Sequence, residues 1–201
     1  MKNLAVFASG TGTNFVAIAK ACRDGILDAR VAVMVCDKPG AAVVERAREM
    51  GVETFVFSPR DFASKACYEA EIVKLLDAKE IDLVCLAGYM RIVGETLLNA
   101  YEGRIINIHP SLLPSFKGAH AVEDAVAYGV KVYGITIHWV NADLDGGRII
   151  AQRAFPYEGS DPAEVHRIGQ KIEHELYIET IKKLLCERWL VYLTRPAWFR
   201  L

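Results

Sequence analysis

Short apolar runs alternate with segments of helical periodicity through the first half of the chain. The runs have the length and composition of parallel strands that are covered on both faces. They are Leu4–Ala8, Val31–Cys36, Thr54–Phe57, Leu83–Ala87 and Ile105–Ile108. Between them, apolar residues recur at the spacing of one helix face, as they do from Phe15 to Cys22. Repeated strand–helix–strand units predict an α/β fold with a doubly wound, mostly parallel, Rossmann-like sheet, whose ligands bind past the carboxyl ends of its strands.

The second half departs from this alternation. Two apolar segments, Gly134–Val140 and Arg148–Phe155, flank a polar, glycine-rich turn and predict an antiparallel hairpin at the edge of the sheet. A long final helix is predicted over 161–186. Asp161 can cap it, the following proline fits its first turn, and Glu164 completes a capping box.

Length and composition predict a single domain that spans residues 1–201. The 201 residues are 52% hydrophobic, which is enough for one substantial core. The 24 basic and 25 acidic residues are mixed along the chain and give a net charge of −1. This balance argues against a partner that is a long nucleic acid or an anionic membrane.

The cysteines and the N-terminus indicate the compartment. The five cysteines are odd in number, scattered and mostly inside apolar segments, so we expect buried thiols and no disulfide framework. The first residues lack the length and cleavage site of a signal peptide, and no apolar run is long enough to span a membrane. We therefore predict a cytoplasmic protein.

The glycine-rich segment Ser9–Asn14 follows the first strand and opens a helix. Its backbone N–H groups and the helix N-terminus could cradle a phosphate, and the alternative is a turn without a ligand. A dinucleotide-binding fingerprint requires a third glycine where this chain has Phe15, whose bulk would hold helix and strand apart. Asp37, at the end of the second strand, does fit a ribose-binding acid. Phe15 therefore argues against a nicotinamide enzyme, whereas Asp37 keeps that alternative open.

An amide, an imidazole and a carboxylate follow strand-like runs on short turns, at Asn107, His109 and Asp145. His109 precedes Pro110, which favours an extended conformation at the strand exit and aims the side chain out of the sheet. A protonated imidazole and an amide N–H can hold a developing oxyanion, while a carboxylate orients the imidazole and favours its charge. The trio suits acyl chemistry. Each residue type is also common at strand ends, where a purely structural role is the alternative.

A longer set of motifs is more specific than the trio. Asn107–Pro114 reads Asn-Ile-His-Pro-Ser-Leu-Leu-Pro, and it is followed by Gly118, Gly134–His138 and Leu144–Gly147. Together with the glycine-rich segment at the start, these motifs resemble the folate-dependent formyltransferase family. The resemblance covers nearly the whole chain, up to the helix around Glu173.

The resemblance implies a reaction. A formyl group would pass from 10-formyltetrahydrofolate, as co-substrate, to the amine of glycinamide ribonucleotide in de novo purine biosynthesis, with no metal. It also implies one formyltransferase domain over 1–201. Residues 1–100 would form a phosphate-binding and ribonucleotide-binding half, and residues 101–201 a catalytic and folate-binding half.

Site residues follow from the same resemblance. The positions that match the family's catalytic group are Asn107, His109 and Asp145. Those that match its contacts to the ribonucleotide are Gly12, Thr13, Asn14 and Glu173. Those that match its folate pocket are Lys65, Met90, Arg91, Ile92, Val93 and Asn107.

The folate contacts implied by the resemblance differ in kind. Backbone groups around Arg91 and Val93 would meet the pteridine ring, while Met90 and Ile92 pack on its faces. Lys65 would meet the glutamate tail. The alternatives without a ligand are an apolar connector after the strand for residues 90–93 and an ordinary solvated side chain for Lys65.

Further polar residues accompany the motif. Thr136 and His138 share one face of a predicted strand and would support the catalytic group from behind, or be satisfied in the core. His120, His166 and His174 are expected to be solvated helix residues. Arg148 stands where the family often has proline, which is a departure at the edge of the site.

Other chemistry for these residues is disfavoured. His109, His138 and Asp145 do not form a known metal-ligand spacing, and no cysteine joins them. Ser111 lacks the glycine-flanked elbow of a serine nucleophile. We therefore expect neither a metal site nor a covalent acyl-enzyme.

Three alternative functions share the fold. A formyltetrahydrofolate hydrolase would resemble this chain preceded by a regulatory domain, and a methionyl-tRNA formyltransferase would need a further C-terminal domain for which residues 187–201 leave no room. A non-catalytic nucleotide-binding module would not need the trio. We assign no function to Trp189–Leu201, and we expect small-molecule substrates and a monomer or homodimer.

Overall fold

The computed structural model describes residues 1–186. The strands are β1 (Lys2–Phe7), β2 (Ala29–Cys36), β3 (Thr54–Val56), β4 (Leu83–Leu86), β5 (Ile105–His109), β6 (Val132–Trp139) and β7 (Ile149–Pro156). The α-helices are α1 (Thr13–Arg23), α2 (Ala42–Glu49), α3 (Lys65–Ala78), α4 (Glu95–Ala100), α5 (Ala121–Tyr128) and α6 (Pro162–Cys186). The segment Trp189–Leu201 lies outside the described residues.

The strands form a single seven-stranded sheet in the order β3-β2-β1-β4-β5-β6-β7. The pairs from β3 through β5 are parallel, whereas β6 and β7 are antiparallel to their neighbours. The predicted doubly wound sheet and its antiparallel edge hairpin are confirmed. Strand order reverses direction at β1 and β4, and a crevice for ligands opens there at the carboxyl ends of the strands.

Alternation along β1 explains why its sequence is apolar from Leu4 to Phe7. Leu4 and Val6 point into a core layer formed with α1, α2 and α6. Ala5 and Phe7 point into a second layer formed with α3 and α4. Because helices cover both faces of the sheet, neither set of alternating positions can be polar.

Two details of the sequence prediction are wrong. Asp161 caps α6 by accepting a hydrogen bond from Ala163 N–H at 2.9 Å, but Glu164 binds Arg167 and completes no capping box. The thiols of Cys67 and Cys186 are exposed, although thiols at other positions are buried or half-buried as expected. Both cysteines lie on helix faces that solvent reaches, which the apolar character of the flanking residues does not reveal.

Candidate active site

Strand register brings four polar side chains to one face of the sheet at the end of β5. Asn107 lies opposite His138, and His109 lies opposite Thr136. Directly opposed residues of an antiparallel pair project to the same side, and so do residues two apart on one strand. The turn between β6 and β7 then carries Asp145 against this group. We call Asn107, His109 and Asp145 the catalytic cluster.

His109 is buried, and each of its ring nitrogens faces an acceptor. Nε2 donates to the carbonyl oxygen of Phe116 at 2.8 Å. Nδ1 lies 3.5 Å from Asp145 Oδ2. A carbonyl can only accept, so Nε2 carries a proton. The His109 ring therefore lies between a backbone carbonyl on one side and a carboxylate on the other.

Asp145 is the anion of the cluster. Burial by itself would raise the pKa of its carboxyl, but the polar contact with His138, the Gly118 N–H and the charge of His109 together lower this pKa to about 2. The Gly118 N–H donates to Oδ2 at 2.9 Å. Asp145 thus holds a negative charge in a site from which its side chain exposes only 8% of its surface.

His138 fixes the orientation of the Asn107 amide. Its Nδ1 donates to the carbonyl of Trp139 at 2.8 Å. Its Nε2 lies 3.2 Å from Asn107 Nδ2 and 3.6 Å from Asp145 Oδ1. The second amide N–H points towards Asp145 Oδ1 at the longer distance of 3.5 Å. This second N–H is the one that a ligand oxygen could take over.

Thr136 is fully buried and supports the turn that follows β5. Its hydroxyl donates to Ser111 O at 2.6 Å and accepts from Leu113 N–H at 3.1 Å and from the Gln152 side chain at 2.9 Å. All of its hydrogen-bonding capacity is used by the protein. Thr136 therefore shapes the turn beside His109 and has no free group for a ligand.

Residues 9–14, which we call the phosphate loop, connect β1 to α1 at the same edge of the sheet. Gly12 precedes the helix in a left-handed conformation with φ of 76°, and no side chain caps the helix. The first-turn N–H groups of a helix have no partner within it, so they are available to an anion. A side chain at Gly12 would overlap Val43, which makes glycine necessary there.

Two polar residues of α6 reach the phosphate loop. Glu173 Oε2 accepts from Asn14 Nδ2 at 2.8 Å, and Gln170 Nε2 donates to Thr13 Oγ1 at 3.2 Å. Among the described residues, the buried Asn14 Oδ1 has no hydrogen-bond partner. An unpaired buried acceptor is costly, so a donor on a ligand is the natural partner for Asn14 Oδ1.

The predicted folate segment, residues 90–93, follows β4 and lies beside the phosphate loop. Met90 and Ile92 each expose 60% of their surface, while Val93 is buried. Lys65, at the start of α3, packs near Gly94 at the far end of the segment. Exposed apolar side chains flanking a polar backbone are suited to a flat heteroaromatic ring.

Asp37 does not offer its carboxylate to a ribose. Oδ1 accepts from the Ser9 hydroxyl, and Oδ2 accepts from Arg91 Nε at 2.8 Å. The side chain has no exposed surface. A cavity of about 470 Å³ opens beside this pair, with Lys38 and Arg60 on its rim. The carboxylate that a nicotinamide enzyme would use is thus already engaged within the protein.

The remaining histidines differ from one another. His120 and His166 are exposed as expected, and His166 Nε2 lies 3.3 Å from Glu123. The expectation of a solvated His174 is wrong, because its Nε2 is buried without a hydrogen-bond partner among the described residues. Burial lowers the pKa of His174, against the opposing charge of Glu173.

Residues 1–186 contain neither a candidate metal-binding cluster nor a helix suited to span a membrane. No group of three or more histidine, cysteine or acidic side chains in this part of the chain could hold a metal ion. Within the same residues, no helix combines the length and apolar character needed to cross a membrane.

Phe116 and Gln170 escaped prediction from the sequence, and Ser9 and Gly118 stood within predicted motifs without a role of their own. Phe116 and Gly118 act through backbone atoms, which residue type does not reveal. Ser9 and Gln170 carry ordinary polar side chains. Gln170 could have been found from its position three residues before Glu173, since that spacing puts both on one face of α6.

The chain belongs to the formyl transferase family, whose family model matches residues 2–181. It is 48% identical over 186 residues to the phosphoribosylglycinamide formyltransferase of Bacillus subtilis strain 168, covering 92% of this chain and 95% of that protein. The crystal structure of glycinamide ribonucleotide transformylase 1 from Geobacillus kaustophilus matches with a TM-score of 0.89 at 52% identity, covering 92% of this chain and 99% of that one.

A longer relative contains a similar region. The trifunctional purine biosynthetic protein adenosine-3 of Drosophila melanogaster is 38% identical over 188 residues, which are 92% of this chain and 14% of that protein.

Proposed function

We propose that this chain transfers a formyl group from 10-formyltetrahydrofolate to the amine of glycinamide ribonucleotide, a step of de novo purine biosynthesis. The names of its relatives support this acceptor. The observation that carries the proposal is the convergence of Asn107, His109 and Asp145 at the end of β5, at the same sheet edge as the uncapped N-terminus of α1.

The phosphate of the ribonucleotide binds the backbone N–H groups of Gly12, Thr13 and Asn14. An anion at a helix N-terminus is stabilised both by these donors and by the helix dipole. Asn14 Oδ1 accepts from a donor on the acceptor substrate, which gives this buried side-chain atom a partner. Glu173, already beside Asn14, holds the substrate amine by a charge-assisted hydrogen bond.

The folate binds along residues 90–93. Its pteridine ring lies against the backbone near Arg91 and Val93, and the exposed side chains of Met90 and Ile92 lose their contact with water. The glutamate tail extends towards Lys65. The formyl group on the folate nitrogen then points to the catalytic cluster.

The neutral amine attacks the formyl carbon, and the electron pair of the carbonyl bond moves to oxygen. The Asn107 amide N–H and the protonated ring of His109 stabilise this oxyanion in a site that excludes most water. The formyl oxygen takes the place of the Phe116 carbonyl as the acceptor from His109.

Proton transfer completes the reaction. The attacking nitrogen loses a proton, and the folate nitrogen gains one as its bond to the formyl carbon breaks. Asp145, through an ordered water, carries the proton between the two nitrogens and supports the positive charge of His109. The products are the formylated ribonucleotide and tetrahydrofolate.

We further propose a single domain over 1–201. Residues 1–100 supply the ribonucleotide half, and residues 101–201 supply the catalytic and folate-binding half. Two exceptions cross this division: residues 90–93 contact the folate from the first half, and Glu173 contacts the ribonucleotide from the second. The even mixture of charges supports small-molecule substrates in the cytoplasm, without nucleic acid or membrane partners. We expect a monomer or a homodimer and no metal requirement.

Label transfer tests the proposed function. The protein is mixed with folate that carries an isotope-labelled formyl group, with glycinamide ribonucleotide as acceptor, and the products are separated. The proposal requires the label on the amine of the ribonucleotide. Label released as free formate would contradict it and would instead favour a hydrolase.

A further inference from the structure

Three segments of the chain meet at the carboxylate of Asp37. Its Oδ1 accepts from the hydroxyl of Ser9, the first residue of the phosphate loop. Its Oδ2 accepts from Nε of Arg91, within the folate segment, at 2.8 Å. The Ser9 oxygen in turn accepts from Met90 N–H at 2.9 Å. A side-chain network thus connects the end of β2 to both substrate loops.

Asp37 is buried, and both of its partners lie in loops that follow other strands of the sheet. Its side chain has no exposed surface, whereas that of Arg91 is 46% exposed. The hydrogen bond that Arg91 donates to Asp37 is the main cause that raises the pKa of Arg91. A buried carboxylate with two donors holds those donors firmly, because breaking either contact leaves an unpaired charge.

The chain just before the folate segment is held by the hydrogen bond from Ser9 N–H to Gly88 O at 3.0 Å and by edge-on packing of Tyr89 against Phe7. Met90 and Ile92 are exposed, so packing does not fix them. The far end is held by Glu69, whose Oε1 accepts from Gly94 N–H at 2.6 Å, and by the buried Val93. The segment is therefore anchored at both ends, and the network of Asp37 provides the anchor at Met90 and Arg91.

We propose that Asp37 is a positioning residue for the folate, which it never touches. It holds the backbone of Met90 and Arg91 in the orientation that the pteridine ring requires, through the Ser9 hydroxyl and the Arg91 guanidinium. This inference rests on the proposed function only in taking the folate as the ligand of residues 90–93.

Asp37→Asn tests the proposal, with Asp82→Asn as a matched control. Asp82 also binds one cation and one N–H, from Lys2 at 2.7 Å and Asn3 at 2.8 Å, but it lies at the opposite end of β1. We expect Asp37→Asn to raise the KM for the folate about tenfold, the factor that corresponds to about 1.4 kcal/mol. The turnover number and the KM for the ribonucleotide should stay within about twofold of wild type.

A second readout does not depend on turnover. Equilibrium binding of tetrahydrofolate, the proposed product, should weaken by a similar factor in Asp37→Asn and remain unchanged in Asp82→Asn. This result would support the positioning role even if label transfer excluded glycinamide ribonucleotide as the acceptor. Equal folate binding by the two variants would overturn the proposal.

Ser9→Ala covers the case in which Asp37→Asn does not fold. It keeps the pair of Asp37 and Arg91 but removes the bridge to Met90 N–H, and we expect tetrahydrofolate to bind about threefold more weakly, as for one lost neutral hydrogen bond. Trypsin should also cleave after Arg91 faster in native Ser9→Ala than in wild type. Wild-type folate binding and cleavage in Ser9→Ala would contradict the proposal.

Discussion

The phosphate loop and the catalytic cluster lie at the same edge of the sheet, yet they are built from different parts of the chain. The loop offers the backbone N–H groups of an uncapped helix, next to a glycine that has no room for a side chain. The cluster offers three side chains, and each of them has its orientation fixed by other groups: Asn107 by His138, His109 by Phe116 O, and Asp145 by Gly118 N–H.

This difference predicts two kinds of sensitivity. A backbone site tolerates changes of residue type until added bulk blocks the ligand, and its loss weakens binding. A side-chain cluster that stabilises a transition state depends on each functional group, and its loss lowers turnover more than binding. Substitutions in the two regions should therefore separate turnover from KM.

The largest expected effect is in the cluster. His109→Ala or Asn107→Ala should lower the turnover number at least ~100-fold, the scale of one removed oxyanion donor, while the KM of each substrate changes much less. Steady-state kinetics with both substrates varied measures this directly. Near-normal turnover in both variants would contradict the proposal that the cluster stabilises the oxyanion.

A smaller effect is expected in the phosphate loop. Gly12→Val is unsuitable as a test because its side chain would overlap Val43 and disturb α2. Gly10 has open space around it, so Gly10→Val adds bulk to the loop without overlapping other protein atoms. We expect its KM for glycinamide ribonucleotide to rise about tenfold, or about 1.4 kcal/mol, with folate KM and turnover nearly unchanged.

Gly40→Val is the matched control for the loop. Gly40 also has open space around it and lies in the neighbouring turn between β2 and α2. It should leave both KM values unchanged. If Gly10→Val raised the KM of both substrates equally, general damage to the fold would explain the result. The assignment of the phosphate to the loop would then lose its support.

A different effect concerns stability against acid, which turnover and KM do not measure. The pKa of Asp145 is lowered to about 2, below the value of an unfolded aspartate, so on acidification the unfolded chain binds this proton first. The stabilisation is complete above about pH 4 and is lost as the pH falls towards about 2, and it amounts to about 2 kcal/mol.

Urea unfolding between pH 5 and the acid limit of folding measures this contribution. The free energy of unfolding of the wild type should fall more steeply with acid than that of Asp145→Asn, whereas the exposed-residue variant Asp143→Asn should follow the wild type. Parallel curves for the wild type and Asp145→Asn would show that the carboxylate of Asp145 is not held in its charged form by the cluster.

The fold was largely predictable because its signal is repeated along the chain. Each predicted strand is present within about two residues, since two-sided burial makes parallel strands continuously apolar. The antiparallel hairpin followed from its glycine-rich turn. The predicted capping box is absent because Glu164 instead accepts two hydrogen bonds from Arg167. The local sequence does not determine which of the two contacts forms.

The site was predictable only in part. Residue type and motif indicated Asn107, His109 and Asp145, whose side chains the structure brings within 3.5 Å of one another in two contacts. The contact between Asp37 and Arg91 was not predictable, because 54 residues separate the two along the chain. Contacts through backbone atoms, such as that of Phe116, leave no trace in residue type.

Acceptor dependence tests the central claim most directly. Deformylation of 10-formyltetrahydrofolate is followed by folate absorbance with and without glycinamide ribonucleotide, in the wild type and in Asp145→Asn. Direct transfer predicts slow deformylation by the wild type alone, a strong increase when the ribonucleotide is added, and loss of that increase in Asp145→Asn. Rapid deformylation by the wild type without the ribonucleotide would contradict the account.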